Sequence, residues 1–159
     1  METAMELLFE QNLIARILMT ITGLGLAIGP AVADFNKTHA TNPLWPPHAR
    51  FHVVWQVLTN SSLCLFMLFV LWTPLVEQYD LQLKLVAVVQ FAILLPIYAT
   101  IACMGLFDGA LKDVNGLRPF VFNIAGKKRA VDTNLFGFSI ISMAVCVALF
   151  NVQSSILLT

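Results

Sequence analysis

The sequence predicts an all-α integral membrane protein, a four-helix bundle forming one domain over residues 1–159. Three observations predict it. Hydrophobic residues make up 58% of the chain and charged residues 11%, with a mean hydropathy of +0.82. A soluble globule carries about 25% charge, so a chain this apolar cannot clothe itself in water. Four stretches have the roughly 20 apolar residues that a bilayer core demands. No run of ten-residue alternating segments suggests a barrel, and an open sheet in hydrocarbon would leave its backbone unpaired.

The first expected span runs Leu13–Ala33, with Arg16 near its start and Pro30 near its end. The second, Phe51–Trp72, follows the helix-breaking run Asn42-Pro43-Leu44-Trp45-Pro46-Pro47 and stops before Pro74. The third, Leu81–Phe107, contains Pro96, whose ring should bend it. The fourth is Leu135–Leu158. No basic residue precedes Arg16, so no signal peptide is expected and the first span is expected to stay in the mature protein. Gly25 and Gly29 form a small-xxx-small step that suits close helix packing.

Charge orients the bundle. Lys37, Arg50, Lys112, Arg118, Lys127, Lys128 and Arg129 fall in the first and third connections; only Arg16 and Lys84 fall on the other side. The positive-inside bias puts both connections in the cytoplasm, as in a multi-pass protein of the endoplasmic reticulum or a bacterial inner membrane. The triplet Lys127-Lys128-Arg129 is expected to contact anionic headgroups. Nine basic residues balance nine acidic ones, so no excess charge steers a polyanion, and nucleic acid is excluded as a partner. The expected partners are the lipid bilayer and a lipophilic small molecule; a homo-oligomer is left open. The three cysteines lie inside spans with no C-x-x-C spacing, so no disulfide framework or thiol motif is expected.

The chemistry concentrates in one window. His39, His48 and His52 are all the histidines of the chain, and Asp34, Asn36, Asn42, Trp45 and Arg50 lie among them. His48 and His52 stand four residues apart on one helix, and Gln56 and Asn60 continue the step. Polar groups at membrane depth are costly, so this stripe is expected to face the bundle interior and line a cavity. Gln90 and Tyr98 on the third span are expected to line it too. Histidine titrates near neutrality, and a carboxylate beside it fixes its tautomer. Asp34, His48 and His52 are therefore the expected catalytic groups, performing acid–base isomerisation or cyclisation of a lipophilic molecule. Asn36, His39, Asn42, Trp45, Arg50, Gln56, Asn60, Gln90 and Tyr98 are the expected substrate contacts. No cofactor motif is visible and none is expected. Two alternatives stand beside this one: Asp34, His39, His48 and His52 as transition-metal ligands of an oxygenase or carrier, and a non-catalytic lipid-binding or accessory subunit.

The string Ala33-Asp34-Phe35-Asn36, Thr38-His39 and Asn42-Pro43-Leu44-Trp45-Pro46-Pro47-His48-Ala49-Arg50-Phe51-His52 resembles the hallmark of small, functionally uncharacterised four-span membrane proteins of bacteria and fungi. More distantly, the layout is similar to the EXPERA superfamily of sterol isomerases and sigma-2-type receptors. That likeness implies a sterol-sized cavity lined by acidic and histidine groups. This chain departs from it in carrying His52, Gln56 and Asn60 where the isomerases use a histidine and glutamates. The layout is also similar to four-span anthrone oxygenases of polyketide pathways, a resemblance of plan rather than of matched residues.

Overall fold

The computed structural model describes residues 9–111 and 117–152. Among the described residues, four helices are long and apolar enough to cross a membrane: α1 (Leu13–Asp34), α2 (Pro47–Trp72), α3 (Tyr79–Cys103) and α4 (Thr133–Phe150). A 3-10 turn, Met104–Leu106, extends α3. Four spans joined in series place the α1–α2 and α3–α4 connections at one end of the bundle, called here the loop end. The α2–α3 connection lies at the other. Lys112, and the expected end of the fourth span beyond residue 152, lie outside the described residues.

Helix α2 begins earlier than residue 51. Pro46 is its cap and Pro47 its first residue, a position where the missing N–H costs nothing and the fixed φ suits a helix. The four added residues bring His48 and Arg50 into the first turn. The fourth helix starts at a built cap: Asp132 Oδ1 accepts from the backbone N–H of Asn134 at 2.9 Å and of Leu135 at 3.1 Å, the usual service of an N-cap aspartate.

One element departs from the all-helical expectation. Strands β1 (Phe120–Ile124) and β2 (Lys127–Val131) form an antiparallel hairpin in the α3–α4 connection. Its two-residue turn has φ of 50° at Ala125 and 76° at Gly126, the sign pattern of a type I′ turn, whose twist matches that of paired strands. Period-two alternation puts Phe120 and Phe122 on one face, where both rings meet Phe136 of α4, at 4.9 and 5.7 Å between centroids.

The core sits toward the end opposite the loop end. Ala15, Met19 and Leu26 of α1 pack with Cys64, Met67 and Leu71 of α2, Leu83, Val86 and Leu94 of α3, and Val145 and Ala148 of α4. Polar staples cross this apolar interior. Gln90 Nε2 donates to Met19 O at 2.8 Å. The Thr22 hydroxyl lies 3.2 Å from Gln90 Oε1 and shares its one proton between that oxygen and the Leu18 and Met19 carbonyls, at 3.0 and 3.1 Å. Tyr98 meets Ser142 Oγ at 3.1 Å. Away from water such bonds have few competitors, so they hold helices in register.

The Gly25–Gly29 step is used by halves. A Cβ on Gly25 would lie 3.3 Å from Ile141 Cδ1 of α4, whereas one on Gly29 would meet nothing among the described residues within 4 Å. Gly25→Leu is therefore expected to lower stability by about 1–3 kcal/mol through overpacking. Gly29→Leu should leave it nearly unchanged. Thermal unfolding of the two variants in mild detergent, followed by size-exclusion fluorescence, checks this; equal melting temperatures would show that α1 and α4 do not pack through Gly25.

Candidate functional site

The α1–α2 connection is a tightly bonded turn system. Asn36 Nδ2 donates to Val32 O at 3.1 Å and Ala33 O at 2.8 Å, closing the free carbonyls at the end of α1. Ala40 N–H donates to Asp34 O at 2.9 Å, and Thr41 N–H to Asn36 O at 3.0 Å. Asn42 repeats the device: its Nδ2 donates to Thr38 O at 2.9 Å, and its Oδ1 accepts from Leu44 N–H at 3.0 Å. Both asparagines thus shape the turn. Trp45 stands edge-on to the His39 ring, 5.1 Å between centroids.

This scaffold fixes the proton on one imidazole. Because Asn36 spends its amide N–H groups on the α1 carbonyls, its Oδ1 is left to accept from the Thr38 hydroxyl at 2.6 Å. A hydroxyl has one proton to give. Its oxygen then has only lone pairs for His39 Nδ1, 2.7 Å away, so Nδ1 must carry the hydrogen in the neutral ring. The Nε2 atom keeps its lone pair. Asp34 Oδ1 lies 3.7 Å from the same Nδ1, with both side chains about three-quarters buried. That is an oriented base with a carboxylate behind it.

His48 and His52 form a second, separate pair. Their Nε2 atoms are 3.0 Å apart and both rings are exposed. With both rings neutral, one donates its proton to the other. Gln56 is also exposed, and only Asn60 is half-buried. The stripe therefore does not face inward as expected. Four residues of an α-helix turn through about 400°, so each step of the stripe advances about 40° around the axis. The buried face of α2 is marked by Val57, Cys64, Met67 and Leu71; the row starts well away from it and reaches its edge only at Asn60.

Arg50 belongs to a third place. It is half-buried and lines a shallow depression of about 360 Å³ with Ala40, Pro47, Phe51 and Val54. Residues two apart on a helix point about 200° apart, so Arg50 opposes both helical histidines. The depression abuts the loop scaffold at Ala40, next in sequence to His39. Gln90 is fully buried against Met19, about 22 Å along α1 from Asp34. Tyr98 is bonded to α4. Among the described residues, no three of His, Cys, Asp and Glu converge on one point. The window thus resolves into an Asp34–Thr38–His39 cluster, a His48–His52 pair and the Arg50 depression; Gln90 and Tyr98 serve as helix staples.

One polar centre was not expected as a structural feature. At the end opposite the loop end, Arg16 is 1% exposed and lies between the rings of Phe9 and Trp72, 3.3 and 4.1 Å from their centroids. Its Nε donates to Leu71 O and its Nη1 to Phe9 O, both at 3.2 Å, while Nη2 is buried with no hydrogen-bond partner among the described residues. Tyr79 OH donates to the same Leu71 carbonyl. The only signal in the sequence is a cation within an apolar span, read there as a topological charge.

Residues 18–93 match a family described as a family of unknown function, DUF6640. The match covers just under half of the chain: most of α1, the whole α1–α2 connection, α2 and more than half of α3. Every histidine falls inside it. No curated protein and no solved structure matches the chain.

Proposed function

We propose that the protein binds a lipophilic small molecule at the loop end of the bundle and moves a proton on it. The carrying observation is the Thr38-fixed Nδ1–H tautomer of His39 beside Asp34. His39 Nε2 takes a proton from an acidic carbon of the substrate, and Asp34 offsets the charge on the imidazolium. The ring returns the proton at another carbon, so the product is an isomer and no oxidant or reductant is consumed. A cyclisation follows the same course when the new carbanion closes on an electrophilic carbon of the same molecule. Arg50 holds a polar or anionic end of the substrate, and Ala40, Pro47, Phe51 and Val54 receive its apolar body. An isoprenoid, sterol or polyketide-like molecule fits this chemistry. The bias of basic residues supports a cytoplasmic loop end. Purified protein should carry a lipophilic molecule identifiable by mass spectrometry. Turnover of that molecule in heavy water should add deuterium at carbon. A ligand that emerges unlabelled and unchanged favours a lipid receptor or accessory subunit.

A second reading rests on the His48–His52 spacing. Two imidazole nitrogens bound about 2.0–2.1 Å from a tetrahedral zinc ion stand roughly 3.3 Å apart, close to the 3.0 Å observed. A shift of the donor ring's proton from Nε2 to Nδ1 frees both Nε2 lone pairs for a divalent ion, in a carrier or an oxygenase. Calorimetric titration with zinc should show one site per chain whose affinity falls at least about tenfold in His48→Ala and in His52→Ala. Unchanged affinity in both variants removes this reading.

A further inference from the structure

We infer that the β1–β2 hairpin is a docking element for an anionic lipid surface, seated flat at the loop-end face of the bilayer. Placement comes first. Strand β2 ends at Val131, Asp132 caps α4, and α4 is a membrane-spanning helix from Thr133. With a single residue between strand and span, the base of the hairpin is held at the headgroup layer. Thr133 Oγ1 also bonds Arg118 O, tying the strand's approach to the helix start.

Composition comes second. From Leu117 to Val131 the chain holds Arg118, Lys127, Lys128 and Arg129 and no acidic residue. Lys127, Lys128 and Arg129 are all exposed. The pairing register sets Lys127 opposite Ile124 and Arg129 opposite Phe122, so cations and apolar groups share one ribbon.

Exposure comes third. Ile124, on the face of Phe120 and Phe122, is 62% exposed, and those two rings stay 45% and 38% exposed although they touch Phe136. A lone two-stranded hairpin is marginal in water. Apolar tips entering the acyl boundary while lysine and arginine heads stay with the phosphates complete the missing contacts. Neither feature alone would name the occupant. Cations without acids select an anionic surface, and the interleaved apolar side chains select one with a greasy layer beneath it.

The test uses the full chain in nanodiscs of phosphatidylcholine alone or mixed with phosphatidylglycerol. An environment-sensitive NBD label is placed by Ile124→Cys in a background lacking the exposed thiols, Cys103→Ser and Cys146→Ser. The expected result is blue-shifted emission quenched by doxyl-labelled acyl chains, more strongly in the anionic discs. K127Q/K128Q/R129Q should abolish the difference, since each basic residue near such a surface shifts partition by about fivefold. The charge-keeping K127R/K128R/R129K should retain it and controls for folding. Water-like emission in both discs, or quenching indifferent to anionic lipid in the parent chain, overturns the proposal.

Discussion

Arg16→Ala should be the most damaging single substitution in this protein, lowering its unfolding free energy by about 3–5 kcal/mol. The guanidinium occupies a slot walled by Phe9 and Trp72 and bonds carbonyls of Phe9 and Leu71, residues far apart in sequence. Truncation empties that slot and removes the guanidinium donors from both carbonyls, leaving Leu71 O with the Tyr79 hydroxyl alone. It also removes two cation–ring contacts, which are strongest where water is absent. Arg16→Lys keeps the charge but loses the planar fork and the stacking, so an intermediate loss is expected. Trp72→Leu should fall between them, because it frees one ring face and the Thr20 hydroxyl that the indole N–H now engages. Thermal unfolding in detergent reads all three. A melting temperature for Arg16→Ala within about 2 °C of the parent would show that the slot contributes little.

His39→Gln should reduce turnover of the bound molecule by about 10²–10⁴-fold, the usual contribution of a positioned general base. Asp34→Asn should cost less than His39→Gln, since the Thr38 hydroxyl still holds the tautomer while the charge behind it is gone. Thr38→Val tests the relay itself: without its oxygen, Nδ1 loses its acceptor and the two tautomers become free to exchange. His52→Ala is the discriminating control. Its ring is exposed and bonded only to His48 among the described hydrogen bonds, so under the Asp34–His39 reading it retains turnover. Heavy-water incorporation by these variants assigns the base: loss in His52→Ala with retention in His39→Gln would move the chemistry onto α2.

The four spans were legible because their signal is additive: twenty apolar residues outweigh any local ambiguity. Their ends were less so. Pro47 reads as a breaker when the chain is scanned for interruptions, yet it is a favourable first residue, and α2 gains a turn from it. The polar row from His48 to Asn60 was read as one face, as an i, i+4 step invites. Over three steps the 3.6-residue period carries it about 120° around the helix, enough to turn its first members outward. The His39 relay was not legible, because it needs Asn36, Thr38 and His39 folded onto one another by backbone turns that composition does not fix. Arg16 was visible only as a charge. Its slot is assembled from residues at positions 9, 71, 72 and 79, and no local window contains them. The hairpin has a readable trace in the alternation Phe120, Phe122, Ile124 before Ala125-Gly126, but five residues per strand make a weak period beside a run of three cations.

The junction at Asp132 has a mechanical consequence. Strand and span are spliced without slack, and the Phe120–Phe122–Phe136 ring cluster bridges the splice like a gusset. A ribbon that tips against the leaflet must lean the fourth rod with it. That rod carries the serines facing Tyr98, so a lean imposed through the ribbon would act on the fit between the third and fourth helices.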